Sequence, residues 1–192
     1  MKNLYVSGLL MLGLFILFGC STLGKSDNLE TNQNGLNATY YSFGEYGDSK
    51  IDYTEDISTC IEKQKSTDYS INFYPEFWPF EFDHAFAVEW NAFLKIPETN
   101  NYIFALLSDD RSYLSIDGNQ VIDTNGTVNK DIESTPIKLK KGFHQINIKY
   151  FSNGDTIPLY SSGNAAYIVL KWKENGENEL IPIENSYFRI ME

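Results

Sequence analysis

Basic residues are scarce in this chain of 192 residues: 15 Lys and Arg stand against 26 Asp and Glu, a net charge of −11 at neutral pH. Binding to a phosphate backbone needs clustered Lys and Arg, so this balance argues against a nucleic-acid partner. It argues equally against direct docking on anionic lipid. A cation such as calcium is compatible with it, although most acidic surfaces are simply solvated. Cysteine is nearly absent, with only Cys20 and Cys60. No CxxC, HExxH, GxSxG or P-loop motif occurs. A glycosidase needs two carboxylates about 5–9 Å apart across the bond it cuts, and neighbouring aspartates on one loop do not form that arrangement. The sequence therefore predicts a protein that is not an enzyme. Internal repeats are missing, and so are convincing helices longer than about two turns.

One long apolar run is present, Leu4 to Phe18, after a single Lys2. Its 15 residues would reach roughly 22 Å as a helix, short of the roughly 30 Å hydrocarbon core. A signal peptide over residues 1–19 fits better than a membrane span. The run ends Leu17-Phe18-Gly19-Cys20, which resembles a bacterial lipobox. The implied chemistry is acylation of the Cys20 thiol and cleavage after Gly19. The alternative is an ordinary secretory signal with a chance cysteine. Two or more acyl chains anchor stably where one is marginal. Losing Lys2 with the leader takes the net charge to −12. With Cys20 acylated no disulfide can form within the chain, and Cys60 reads as a buried apolar residue.

Ser21 to Asn34, STLGKSDNLETNQN, is polar and free of aromatic residues. Residues 20–34 read as a lipidated cysteine and flexible linker. Fourteen such residues span roughly 20 Å on average and roughly 50 Å fully stretched. The expected setting is the cell envelope: an exported domain, residues 35–192, held to a membrane through Cys20, with the leaflet left open.

That domain is rich in what strands use. Apolar residues make up 42% and aromatics 15%, with 13 Tyr and 13 Phe, which suits a pleated, half-buried surface. Phe86, Val88, Trp90, Ala92, Leu94 and Ile96 alternate along one stretch, so they share one face of a strand. Tyr102 to Leu107 is apolar on both faces, as in a central strand. Asp117-Gly118-Asn119 predicts a tight hairpin turn. Ile146, Ile148 and Tyr150 share a face in the next strand, and Ile168, Leu170 and Trp172 in the one after. Ser108 to Ser112 and Ser152 to Asn164 read as polar loops, and residues 53–65 are ambiguous. Many short strands with frequent turns predict an all-β, antiparallel sandwich or barrel.

The order of motifs resembles the protective-antigen-type (PA14) domain family. Gly35-Leu36-Asn37-Ala38-Thr39-Tyr40-Tyr41 is similar to its opening GLxxxYY. FAVEWNAFLKIPETNNYIFALLSDDRSYLSIDGNQVID, Phe86 to Asp123, looks like its signature, and GFHQINIKYF and AAYIVLKW follow in order. The resemblance implies a β-sandwich or barrel. It further implies two adjacent aspartates joined by a cis peptide bond, which in the adhesin branch bind calcium with an asparagine and carbonyls of a second loop. Sugar hydroxyls complete the metal shell there.

On this sequence the aspartate pair matches Asp109 and Asp110. Calcium takes six to eight oxygens, and carboxylates and carbonyls supply them. Side chains of adjacent residues in an extended chain point to opposite faces, so aiming both at one ion requires a sharp bend. Asn153 and Asp155 are the second-loop candidates for the metal. Candidates for ligand contact are Asn164, Arg111, which stands where the family commonly has Gly, and Trp78 as a stacking platform. Trp78 lies in a loop-like Pro75-Glu76-Phe77-Trp78-Pro79-Phe80, and burial is its alternative. Phe80, Phe82 and Trp90 share the stacking reading, but Trp90 sits in an alternating strand and reads as core. Asp117, His84 and His144 read as structural. The expected function is calcium-dependent glycan binding or adhesion; the competing expectation is an envelope scaffold or protein-interaction module without a sugar ligand.

Overall fold

The computed structural model describes residues 33–44, 54–74, 78, 85–153 and 166–191. The leader, Cys20, His84, Asp155 and Asn164 lie outside the described residues. In chain order the strands are β1 (Leu36–Ser42), β2 (Ile61–Asp68), β3 (Asn72–Phe73), β4 (Phe86–Ile96), β5 (Asn100–Asp109), β6 (Arg111–Ile116), β7 (Asn119–Asp123), β8 (Ile132–Glu133), β9 (Ile137–Leu139), β10 (Gly142–Ser152), β11 (Tyr167–Glu174), β12 (Ile181–Pro182) and β13 (Phe188–Arg189). One sheet runs β2-β1-β4-β10-β6-β7, with β13 also on β4; the other runs β12-β11-β5-β8, with β3 on β11 and β9 on β5. Every pairing between these strands is antiparallel. The fold is thus the two-sheet, all-β architecture that the sequence predicts.

Alternation builds the core. Phe86, Val88, Trp90, Ala92, Leu94 and Ile96 of β4 are all buried, as are Ile146, Ile148 and Tyr150 of β10. The facing sheet contributes Phe104 and Leu106 of β5 and Ile168, Leu170 and Trp172 of β11 to the same cluster. Rings interlock across the gap: Phe73 of β3 stacks on Trp90 of β4 at 5.7 Å between centroids. β5 has neighbours on both edges, and its successive residues Phe104, Ala105 and Leu106, which alternate between the two faces, are all buried.

The edge strand β2 carries the sequence IEKQKSTD and is exposed over most of its length. Charge on such a strand discourages edge-to-edge pairing with another chain. Its last residue, Asp68, turns inward. Asp68 Oδ2 accepts both the Tyr40 hydroxyl at 2.5 Å and the Trp90 indole N–H at 2.7 Å, and Oδ1 accepts the Ser66 hydroxyl at 3.0 Å. Burial, then the Asp68 charge, holds the Tyr40 phenol far above its ordinary value, so it stays a donor. Cys60 is partly exposed rather than buried. It caps a single 3-10 turn at Ile57–Thr59, too short a segment to seal it.

The GL opening has a steric reason. Gly35 has φ +135°, and a Cβ there would lie 2.6 Å from Thr67 Cγ2 and 3.1 Å from the Asp68 carbonyl oxygen. Both the backbone conformation and the space exclude a side chain. Gly35→Ala is expected to lower stability by about 1–2 kcal/mol, read as a shift of the urea midpoint at constant slope. An unchanged midpoint would contradict this packing.

Asp117 and Gly118 both have positive φ, 49° and 79°, the backbone of the predicted tight hairpin turn. Asp117 Oδ1 accepts the Gln145 N–H at 3.0 Å, and Oδ2 contacts His144 Nδ1 at 2.6 Å. The pair staples the β6–β7 turn to β10.

Candidate functional site: an aspartate pair where the chain changes sheets

β5 belongs to one sheet and β6 to the other, with Asp110 alone between them. The polar segment Ser108–Ser112, read from sequence as a loop, is therefore almost wholly strand, and the crossing is made in one residue. The Asp109–Asp110 peptide bond is cis, as the family resemblance implies. Both carbonyls at this corner are held from within. The Tyr150 hydroxyl donates to the Asp109 carbonyl. The Ser108 hydroxyl reaches the Asp110 carbonyl at 3.1 Å and the Ser112 hydroxyl at 2.8 Å. Thr124 fixes the next residue: its Oγ1 accepts the Ser112 N–H at 2.8 Å, and its own N–H donates to the Ser112 carbonyl at 3.0 Å. Ser108, Ser112 and Thr124 are all buried, so this scaffold is dry and specific.

The two carboxyl groups meet. Asp109 is 6% exposed. Burial, then the Asp110 charge, then a hydrogen bond between the two side chains push the Asp109 carboxyl from 3.8 up to about 6. Among the described residues no lysine, arginine or histidine pairs with either aspartate. Two acids held together without a counter-charge are a poor arrangement for an empty site and a suitable one for a cation. Asn153 is the first residue after β10, and its backbone N–H donates to Asp110 Oδ2 at 2.8 Å. The structure thus brings Asp109, Asp110 and Asn153 together. Among the described residues no group of three or more His, Cys, Asp or Glu is placed to hold a metal. The donor set fits calcium in kind, all oxygen, with Asp109 and Asp110 as its charged part and Asn153 at its rim.

Two ligand candidates stand elsewhere in their contacts. Arg111 turns to the domain's own acids. Its Nε and Nη2 grip Asp123 at 3.0 and 2.9 Å, and Nη1 meets Glu55 at 2.5 Å. The guanidinium also lies 5.1 Å from the centre of the Tyr113 ring. Arg111 holds the Asp123 carboxyl below its ordinary value. Arg111 is thus paired with acids of its own domain. Trp78 is a correction to the stacking-platform expectation. Its ring stacks on Phe73 at 4.8 Å and on Tyr150 at 5.5 Å, and its N–H donates to the Ala166 carbonyl at 2.8 Å. A loop-like sequence conceals a side chain that packs on the core. An aromatic pair beside the acids, Tyr74 and Tyr167, escapes the sequence reading. Its rings lie 6.4 Å apart.

A two-sheet, antiparallel, all-β domain with an acid pair at the sheet crossover defines the class of protein. The PA14 domain model matches residues 32–184, and the chain belongs to the PA14 domain family. Among solved structures, it is similar to the PA14 sugar-binding domain from an RTX adhesin, at 15% identity and TM-score 0.62, covering 82% of this chain and 99% of that one. It is also similar to the epithelial adhesin 6 A domain from Candida glabrata in complex with Galb1-3GlcNAc, at 14% identity and TM-score 0.60, covering 86% and 91%. A third is an anti-sigma factor domain-containing protein from Clostridium clariflavum, at 20% identity and TM-score 0.59, covering 83% of this chain and 48% of that one. This chain spans about half the length of that protein. At such identities the likeness concerns the fold. No curated protein matches.

Proposed function

We propose that this chain is the glycan-binding domain of an exported lipoprotein, tethered through an acylated Cys20 at the cell envelope and dependent on calcium. The observation that carries the reading is the cis-linked pair Asp109–Asp110 at the sheet crossover, which no lysine, arginine or histidine pairs with among the described residues. In this reading the two aspartates hold the ion with Asn153 and Asp155, and Asn164 lies in the loop that meets the sugar. The bound ion supplies a positive centre that orients vicinal hydroxyls. The protein's own part is to hold the corner still, through Tyr150, Ser108 and Ser112. The adhesin neighbours support a sugar as the ligand class, since two of them are described as sugar-binding or sugar-bound.

The test is a glycan array probed with the purified domain in calcium and again in chelator. Binding that disappears with chelator and with Asp109→Asn is the expected result. Binding that survives both would remove calcium from the reading. A second reading, a protein-interaction module without sugar, is favoured by Arg111, whose ties to Asp123 and Glu55 stand where the family commonly has Gly. A blank array with an intact calcium site would support it.

A further inference from the structure

β11 lies against β5 with Tyr167 directly opposite Asp109. Residues opposed in this way carry their side chains to the same face, with backbones about 5 Å apart. β3 lies on the other edge of β11 with Phe73 opposite Ile168. One further step of that register sets Tyr74 opposite Tyr167. The row Tyr74, Tyr167, Asp109 therefore crosses three neighbouring chain segments on the outer face of the sheet. Phe73 and Ile168, one residue away, point into the core.

The two rings lie 25° from parallel. Tyr167 cannot swing. Its hydroxyl accepts the Asn129 N–H at 2.8 Å and donates to Asn129 Oδ1 at 2.9 Å, so the β7–β8 connection clamps it. Asn129 itself has φ 58°, which places both of its groups on the one hydroxyl. Tyr74 is 40% exposed, and so is Val128, the residue before the clamp. Exposed aromatic surface fixed beside a polar site is the usual composition of a small-ligand pocket: a flat apolar wall and a few placed polar groups.

We infer that Tyr74 and Tyr167, with Val128 at their edge, form the shelf on which the apolar face of a sugar ring rests while its hydroxyl edge reaches the Asp109–Asp110 centre. The inference rests on the glycan reading above and adds to it which residues set specificity. A pyranose presents C–H groups on one face and hydroxyls around its rim. The shelf takes the first and the acid pair, with its ion, takes the second. Sugars with a continuous C–H face are favoured over those that interrupt it with an axial hydroxyl. The clamped Tyr167 is already ordered, which limits the entropy lost on binding.

The experiment compares wild type, Tyr74→Ala and Tyr74→Phe on a printed oligosaccharide array in saturating calcium, with calcium affinity read separately by titration calorimetry. Tyr74→Ala is expected to weaken binding about tenfold across the bound spots, equivalent to about 1.4 kcal/mol, with calcium affinity unchanged. Tyr74→Phe keeps the ring and is expected to bind as wild type. Tyr74 lies outside the core cluster, so the alanine variant is expected to fold, with calcium affinity as the check. Wild-type binding that Tyr74→Ala retains overturns the shelf and leaves the glycan reading standing. No wild-type binding to the array, with calcium bound, overturns both.

Discussion

Replacing Asp68 with alanine is expected to destabilise the domain by about 3–5 kcal/mol, a large part of the ~5–15 kcal/mol that holds a domain together. The carboxylate sits at the end of the edge strand and is 9% exposed. One of its oxygens accepts from both Tyr40 and Trp90, neither of which has measurable exposure. Removing the acceptor takes from the buried Trp90 indole N–H and Tyr40 hydroxyl the oxygen they share. Each unsatisfied buried donor costs about 1–3 kcal/mol. The inward aspartate also joins β2 to β1 and β4, so its loss loosens the edge of the sheet. Asp68→Asn separates the two contributions. Its amide oxygen can still accept from Tyr40 and Trp90, and its amino group can meet Ser66. The asparagine variant is expected to lose only about 1 kcal/mol. Urea unfolding at constant slope reads both values. An alanine variant within about 1 kcal/mol of wild type would mean that the two donors find water or other partners.

The same residues show what a sequence can disclose. Local signals survive folding because they act locally. The alternation from Phe86 to Ile96 is found as β4 with the same bounds, since period-2 burial is written directly in the order of residues. Asp117-Gly118 forms its turn because few dipeptides tolerate two positive φ angles in succession. β2 carries no such signal. As a charged edge strand it exposes both faces over most of its length, so no apolar period marks it. Trp78 misleads for a different reason. Its flanking prolines suggest a surface loop, whereas two of its partners, Tyr150 and the Ala166 carbonyl, are far away in the chain.

The site divides along the same line. Asp109 and Asp110 are adjacent and stand out once the family order of motifs is seen. Arg111 was visible as a departure, but its partners Asp123 and Glu55 are 12 and 56 residues away. Tyr74 and Tyr167 come from strands paired only in three dimensions. The one trace of them in sequence is that each flanks an inward-facing residue, Phe73 and Ile168, and so must face outward.

Asp109→Asn is expected to act in opposite senses with and without calcium. In chelator the wild type holds two acids against each other, with the Asp109 carboxyl raised by burial and by its neighbour. An asparagine removes the repulsion and offers an N–H to the Asp110 carboxylate, so the variant should be at least as stable as wild type, by up to about 1 kcal/mol. In calcium at 100 times its Kd the wild type gains about 2.7 kcal/mol. The variant has lost half of the charged donor pair and should gain almost nothing. Thermal unfolding of both proteins in both media then gives curves that cross: the variant melts higher in chelator and lower in calcium. A purely structural aspartate would lower the melting point in both media alike. An equal calcium gain in the two proteins would place the ion elsewhere, and no gain in the wild type would leave the pair without an ion.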